Sequence, residues 1–153
     1  MISTDSFSVY WSAPMLAANF LILLHLLGAL ALGLMVGYER SYHGRAAGMR
    51  TYGLVCMASC ALAVIGGYSH FWYGGNTAAV FTNGDLSRVI QGVLTGIGFL
   101  CAGVIMKEGF SISGLTTAAS LWAASVIGIL VGIGLYPAAM SLALLSAMCM
   151  IWI

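Results

Sequence analysis

After Glu108 the chain carries no charged residue up to its C-terminal Ile153, and the stretch from Val89 to Met106 is equally free of charge. Roughly 18 apolar residues in succession are enough to cross a bilayer. Both runs therefore read as membrane spans, and the short polar stretch Lys107–Gly114 between them reads as a turn at the membrane surface. In lipid, helices gain nothing by hiding apolar side chains from one another, so small residues that let backbones approach take over. Gly92 and Gly96 are four residues apart on one helix, and Gly128 and Gly132 on the next. These two helices are expected to form the packed centre of a polytopic bundle.

Composition agrees: 61% of the residues are hydrophobic and 6% charged, with a mean hydropathy of +1.03, whereas soluble domains carry about 25% charged residues. A length of 153 residues leaves room for one domain. The formal net charge of +1 supplies no basic face for nucleic acid. Cys56, Cys60, Cys101 and Cys149 all lie inside apolar runs and read as small packing residues.

In chain order, residues 1–13 hold Asp5 and the aromatics Phe7, Tyr10 and Trp11. With no basic residue ahead of the apolar run, they read as an interfacial segment rather than a signal peptide. Pro14 suits a helix start. The expected spans are 15–38, 51–73, 86–106, 115–135 and 137–153. Gly33 and Gly37 repeat the four-residue spacing in the first of them. His25 lies in that span too, with two readings open: a neutral imidazole bonded to a neighbouring helix, or a proton or ion ligand.

The segment from Glu39 to Thr51 is the most polar of the chain and holds Arg40, Arg45 and Arg50. Basic residues concentrate in cytoplasmic loops, so the expected fold is an all-α membrane protein of five transmembrane helices, N-terminus outside and C-terminus cytoplasmic. Arg88 alone of the basic residues then faces outward, in front of a loop at 74–85 and an aromatic belt at His70–Tyr73. Arg88 can snorkel to the headgroups, or point inward with Gln91 to line a cleft. Thr116, Thr117 and Ser120 open the fourth span, where hydroxyls commonly cap the helix or bond back to its carbonyls. A connection of about ten residues, close to the usual 2–8, is expected to hold Glu39 near Arg50. With Lys107 and Glu108 they would form one cytoplasmic polar cluster that presents the hinge to a partner.

No catalytic constellation, nucleotide loop or metal-binding motif is present, so neither an enzyme nor a cofactor is expected. Asp5, Glu39, Asp85 and Glu108 all fall at span ends, so a Mg²⁺ path, though possible, would rely on hydroxyls, carbonyls and Gln91. The two functional expectations are a regulator acting by helix packing on a membrane partner or on itself as a homodimer, and an ion-binding or ion-conducting protein.

Five pieces then stand together: Gly37-Tyr-Glu-Arg40, Ala47-Gly-Met-Arg-Thr51, Arg88-Val-Ile-Gln91, the run from Gly96 to Met106, and Gly114-Leu-Thr-Thr-Ala-Ala-Ser-Leu-Trp122. In these pieces and their order, over roughly residues 28–136, the chain resembles the transmembrane domain of the MgtC/SapB family of bacterial inner-membrane proteins. The resemblance implies a five-helix protein linked to growth at low Mg²⁺ and to virulence. It further implies a modulator rather than a transporter, with the F-type ATP synthase and a Mg²⁺-importing P-type ATPase as associated partners. Two departures stand out. The ACT-like cytoplasmic domain that many members carry after span five is not in these residues. The stretch Phe110–Gly114 lacks the basic residue common before that glycine, and Cys101 replaces a common glycine.

Overall fold

The computed structural model describes residues 11–45, 47–67, 86–108 and 110–152. Five helices make up nearly all of it: α1 (Ala13–Tyr42), α2 (Met49–Gly67), α3 (Leu86–Val104), α4 (Leu115–Gly132) and α5 (Tyr136–Trp152). Four of them are long and apolar enough to cross a membrane; α5, with 17 residues, is apolar but shorter. The protein is thus an all-α membrane bundle. α1 has 30 residues and reaches about 45 Å at 1.5 Å per residue, so it extends beyond its neighbours. The expected loop at 74–85, the belt at His70–Tyr73 and the end of the second span lie outside the described residues.

The core sits where α1, α2 and α4 meet. Tyr52, Cys56 and Cys60 of α2 are fully buried, as are Ala29 and Val36 of α1, Ala124 and Ile127 of α4, and Ala139 and Ala143 of α5. Glycines allow this closeness. A methyl group on Gly33 would lie 2.7 Å from the Tyr52 carbonyl oxygen, and one on Gly132 the same distance from the Cys60 carbonyl oxygen. One on Gly37 would lie 2.7 Å from Met49 Cα, and one on Gly128 would collide with the Cys56 carbonyl.

Polar side chains pair off between the helices. Tyr52 bonds Ser120, whose hydroxyl also reaches the Thr116 carbonyl at 2.8 Å. Ser59 Oγ donates to Ser125 Oγ at 3.2 Å, again between α2 and α4. His25 joins α1 to α5: its Nδ1 lies 2.7 Å from the Leu21 carbonyl and its Nε2 2.7 Å from the Tyr136 hydroxyl. With Nδ1–H donating to the carbonyl, Nε2 accepts from the tyrosine, so the imidazole bonds a neighbouring helix.

Two helices end in the same way. Beyond α1, the Gly44 N–H bonds the Ser41 carbonyl and the Arg45 N–H the Arg40 carbonyl, at 3.3 and 3.0 Å. Beyond α4, Gly134 bonds Val131 and Leu135 bonds Leu130, at 3.0 and 2.8 Å. Gly44 and Gly134 hold φ of +61° and +85°, the left-handed residue that this double-bonded cap requires.

The link between α3 and α4 differs from the simple turn expected. Met106–Glu108 (β1) and Ser111–Ser113 (β2) pair antiparallel, Lys107 opposite Ile112, as a small hairpin outside the bundle. Extended, apolar-polar alternation in Met106–Lys107 and Ile112–Ser113 suits a two-stranded ribbon once the helix has ended. Gly114 then turns the chain into α4 with φ of +87°, so close to the Val104 carbonyl that a side chain there would collide with it.

Candidate functional site

Helical phase decides which charges at the polar end of the bundle turn inward. Gly33, Val36, Gly37 and Arg40 stand at i, i+3, i+4 and i+7 of α1, and all four are buried. The stripe that packs on α2 runs directly into Arg40, whose side chain is only 5% exposed. Its Nε donates to Met150 Sδ of α5 at 2.9 Å and stands 3.5 Å from Glu39 Oε2. Glu39 Oε1 lies 3.1 Å from His43 Nδ1, one helical turn on. Glu39 Oε2 is buried and accepts no hydrogen bond among the described residues.

The cap on α1 folds Arg45 back over the same turn. From the other side comes the start of α4. Its first residue is preceded by Gly114, which offers no side-chain cap, and the first helical bond runs from the Ala118 N–H to the Gly114 carbonyl at 2.8 Å. The N–H groups of Leu115, Thr116 and Thr117 therefore have no acceptor among the described residues. Glu39, Arg40, Arg45, Thr116, Thr117 and Met150 together line a cavity of about 300 Å³.

This arrangement departs from the expected cluster. Glu39 pairs with Arg40 and His43 instead of Arg50. Arg50 is exposed on the first turn of α2, because Met49, Tyr52, Gly53 and Cys56 form the stripe against α1 and position 50 falls beside it. Lys107 is exposed on β1, and the Glu108 side chain lies outside the described residues. Thr116 and Thr117 do line the cavity. Arg88 and Gln91 are exposed on α3 and form no cleft with these threonines.

The packing glycines divide. Gly33, Gly37, Gly128 and Gly132 lie at helix contacts, whereas nothing stands within 4 Å of a methyl group built on Gly92 or Gly96. Those two border a groove of about 600 Å³ between α2 and α3, lined by Val55, Ser59, Val93 and Ile97. The groove is almost wholly apolar and holds no titratable group, so the chemistry of the molecule concentrates at the smaller cavity. Among the described residues no three His, Cys, Asp or Glu side chains converge on one point.

Arg40 and Arg45 are the functional candidates that sequence reasoning passed over. The signal was available: Arg40 continues the glycine stripe of α1 at a spacing of three from Gly37.

Fold and cavity together define a multi-pass helical membrane protein with a polar pocket at the end of its bundle. The chain belongs to the MgtC family, whose model matches residues 26–153. It is similar to Protein MgtC of Brucella abortus, 40% identical over 110 residues that cover 72% of this chain and 42% of that one. It is also similar to Protein MgtC of Salmonella typhimurium, 37% identical over 123 residues, 80% of this chain and 48% of the relative. The chain thus spans a little under half the length of these curated relatives. No solved structure matches it.

Proposed function

We propose that the chain is a non-enzymatic regulator of the MgtC/SapB type in the bacterial inner membrane. Its polar end faces the cytoplasm, and it acts on another integral membrane protein, with or without self-association. The F-type ATP synthase and a Mg²⁺-importing P-type ATPase are the partners the family reading favours, in adaptation to low magnesium.

The observation that carries this reading is the hairpin. Phe110 at its tip is fully exposed, with Met106 and Ile112 more than half exposed beside it, directly next to the polar cavity. Apolar side chains carried on a two-stranded arm beyond the helix end are placed to be covered by a partner. The bundle interior gives conduction little support, since Tyr52–Ser120, Ser59–Ser125 and His25–Tyr136 are bonded pairwise between helices. An ion-binding role draws on one feature, Glu39 Oε2, which accepts no hydrogen bond among the described residues, but the Arg40 guanidinium paired with it at 3.5 Å opposes a cation there.

Photo-crosslinking from position 110 in cells grown at low Mg²⁺ tests the regulatory reading. A specific crosslink to a membrane protein, lost in Ile112→Asp at normal expression, is expected. Mg²⁺ or proton flux above empty vesicles in reconstituted liposomes would overturn it.

A further inference from the structure

The cavity at the polar end has the donors of an oxyanion site. Arg40 is 95% buried, yet among the described residues its one hydrogen bond goes from Nε to a thioether, a weak acceptor, beside an ion pair with Glu39 at 3.5 Å. Its two terminal nitrogens have no partner among the described residues, although the side chain lines the cavity. A guanidinium is not neutralised by losing its proton. Nearly buried, with its terminal nitrogens open to the cavity rather than sealed, it favours an acceptor placed there.

The second set of donors is independent of the first. The N–H groups of Leu115, Thr116 and Thr117 end an 18-residue helix without a cap, and the positive end of its dipole meets the same cavity. Helix N-termini and arginine forks are the two protein elements that fit phosphate oxygens best. The Thr116 and Thr117 hydroxyls and the exposed Arg45 add further donors around them.

Charge balance points the same way. Among the described residues, two guanidinium groups and a helix N-terminus stand against one carboxylate, Glu39. That carboxylate is held toward Nε and His43, leaving the terminal edge of Arg40 unclaimed. A volume of about 300 Å³ equals roughly ten water molecules at 30 Å³ each, ample for a phosphate group and the atoms next to it.

We infer that this cavity binds a phosphate oxyanion, held between the Arg40 fork and the uncapped start of α4, with Arg45 closing over it. The group comes either from a phospholipid headgroup, since the cavity lies at the end of a membrane bundle, or from a small soluble phosphate compound. The inference does not depend on the regulatory reading.

The test uses the full chain purified in a maltoside detergent, which contains no phosphate. In one arm, the unfolding midpoint is followed during titration with inorganic phosphate against chloride at equal ionic strength. In the other, native mass spectrometry counts phosphatidylglycerol retained per chain, against a neutral diacylglycerol. A saturable rise with phosphate assigns the soluble source. One phosphatidylglycerol per chain, with no response to phosphate, assigns the lipid source. In either case Arg40→Gln is expected to weaken binding by about tenfold or more, the loss of a charge-assisted pair. Arg40→Lys, keeping the charge and losing the fork, should fall between. Arg45→Gln changes an exposed side chain, so it tests the site even if Arg40→Gln does not fold; a weakening of a few fold is expected. Absence of binding in both arms overturns the inference, and so does binding that Arg45→Gln and Arg40→Lys both leave at the wild-type level.

Discussion

Gly128/Gly132 on α4 and Gly92/Gly96 on α3 have the same spacing in neighbouring helices, and the structure puts them to different uses. The first pair lies against the carbonyls of Cys56 and Cys60, with no room for another atom. The second borders an open groove. Spacing tells which residues share a helix face. It does not tell whether the surface that meets this face belongs to the same chain. The difference follows from the neighbours: α4 runs through the middle of the bundle, whereas α3 buries only Val93 and leans mainly on α4.

The sharpest way to break this comparison is to fill the tight contact. Gly128→Val forces a side chain into the Cys56 carbonyl, where backbone cannot give way cheaply. A loss of about 3 kcal/mol or more is expected, at the upper end of overpacking costs, seen as loss of the monodisperse species in detergent. A wild-type unfolding midpoint would mean that α4 does not seat on α2 as described.

Next in size is Gly114→Ala. The residue combines a φ of +87° with close approach to Val104, so alanine is both strained and crowded there. About 1–3 kcal/mol is expected from the backbone conformation. Because the change moves the start of α4, it should also reduce crosslinking from position 110 more than Gly134→Ala does. Gly134 shares the positive φ but has nothing within 4 Å of an added methyl group. Equal effects at the two sites would show that crowding at Val104 is unimportant.

A smaller effect is expected at the polar seam between α2 and α4. Tyr52→Phe removes the donor to Ser120, but Ser120 keeps its bonds to the Thr116 and Thr117 carbonyls. No buried group is stranded, and interhelical hydrogen bonds in membranes average about 0.6 kcal/mol. A midpoint shift of that order in thermal unfolding is expected. A loss several times larger would mean that the tyrosine hydroxyl anchors the seam rather than trims it.

Much of the fold was legible because it is dictated by where charge is missing. The described helices start within a few residues of the expected spans, the end of the second span lies outside the described residues, and α1 runs from Ala13 to Tyr42 through Glu39 and Arg40. A charged residue need not end a helix, since a buried arginine can extend one. The hairpin was not legible, since three-residue strands leave no periodicity to detect. The site was legible in its threonines and in Glu39, but the partner of Glu39 was misassigned. Loop length brings Arg50 near, whereas helical phase turns it outward and turns Arg40 inward. Phase is readable from sequence only once one contact face is known. The Gly33/Gly37 stripe supplied that face, three residues before Arg40.

The smallest expected effect returns to the open glycines. Nothing stands within 4 Å of a methyl group on Gly96, and the groove of about 600 Å³ beside it has room for the rest of a leucine side chain, so Gly96→Leu is expected to cost little within the chain. Substitutions at such positions usually stay within about 0.5 kcal/mol, and the unfolding midpoint of the dispersed protein should hold. The same variant then becomes a probe of what lies beyond the chain. In membranes, a disulfide-trapping series along Leu54, Ala58 and Leu62, on the α2 wall of the groove, reports whether a second helix enters. If crosslinks form in the wild type and disappear in Gly96→Leu, the α3 glycines are a contact surface after all, completed from outside. If no crosslinks form and Gly96→Leu changes nothing, the groove faces lipid. The two glycine pairs would then differ in purpose as well as in place.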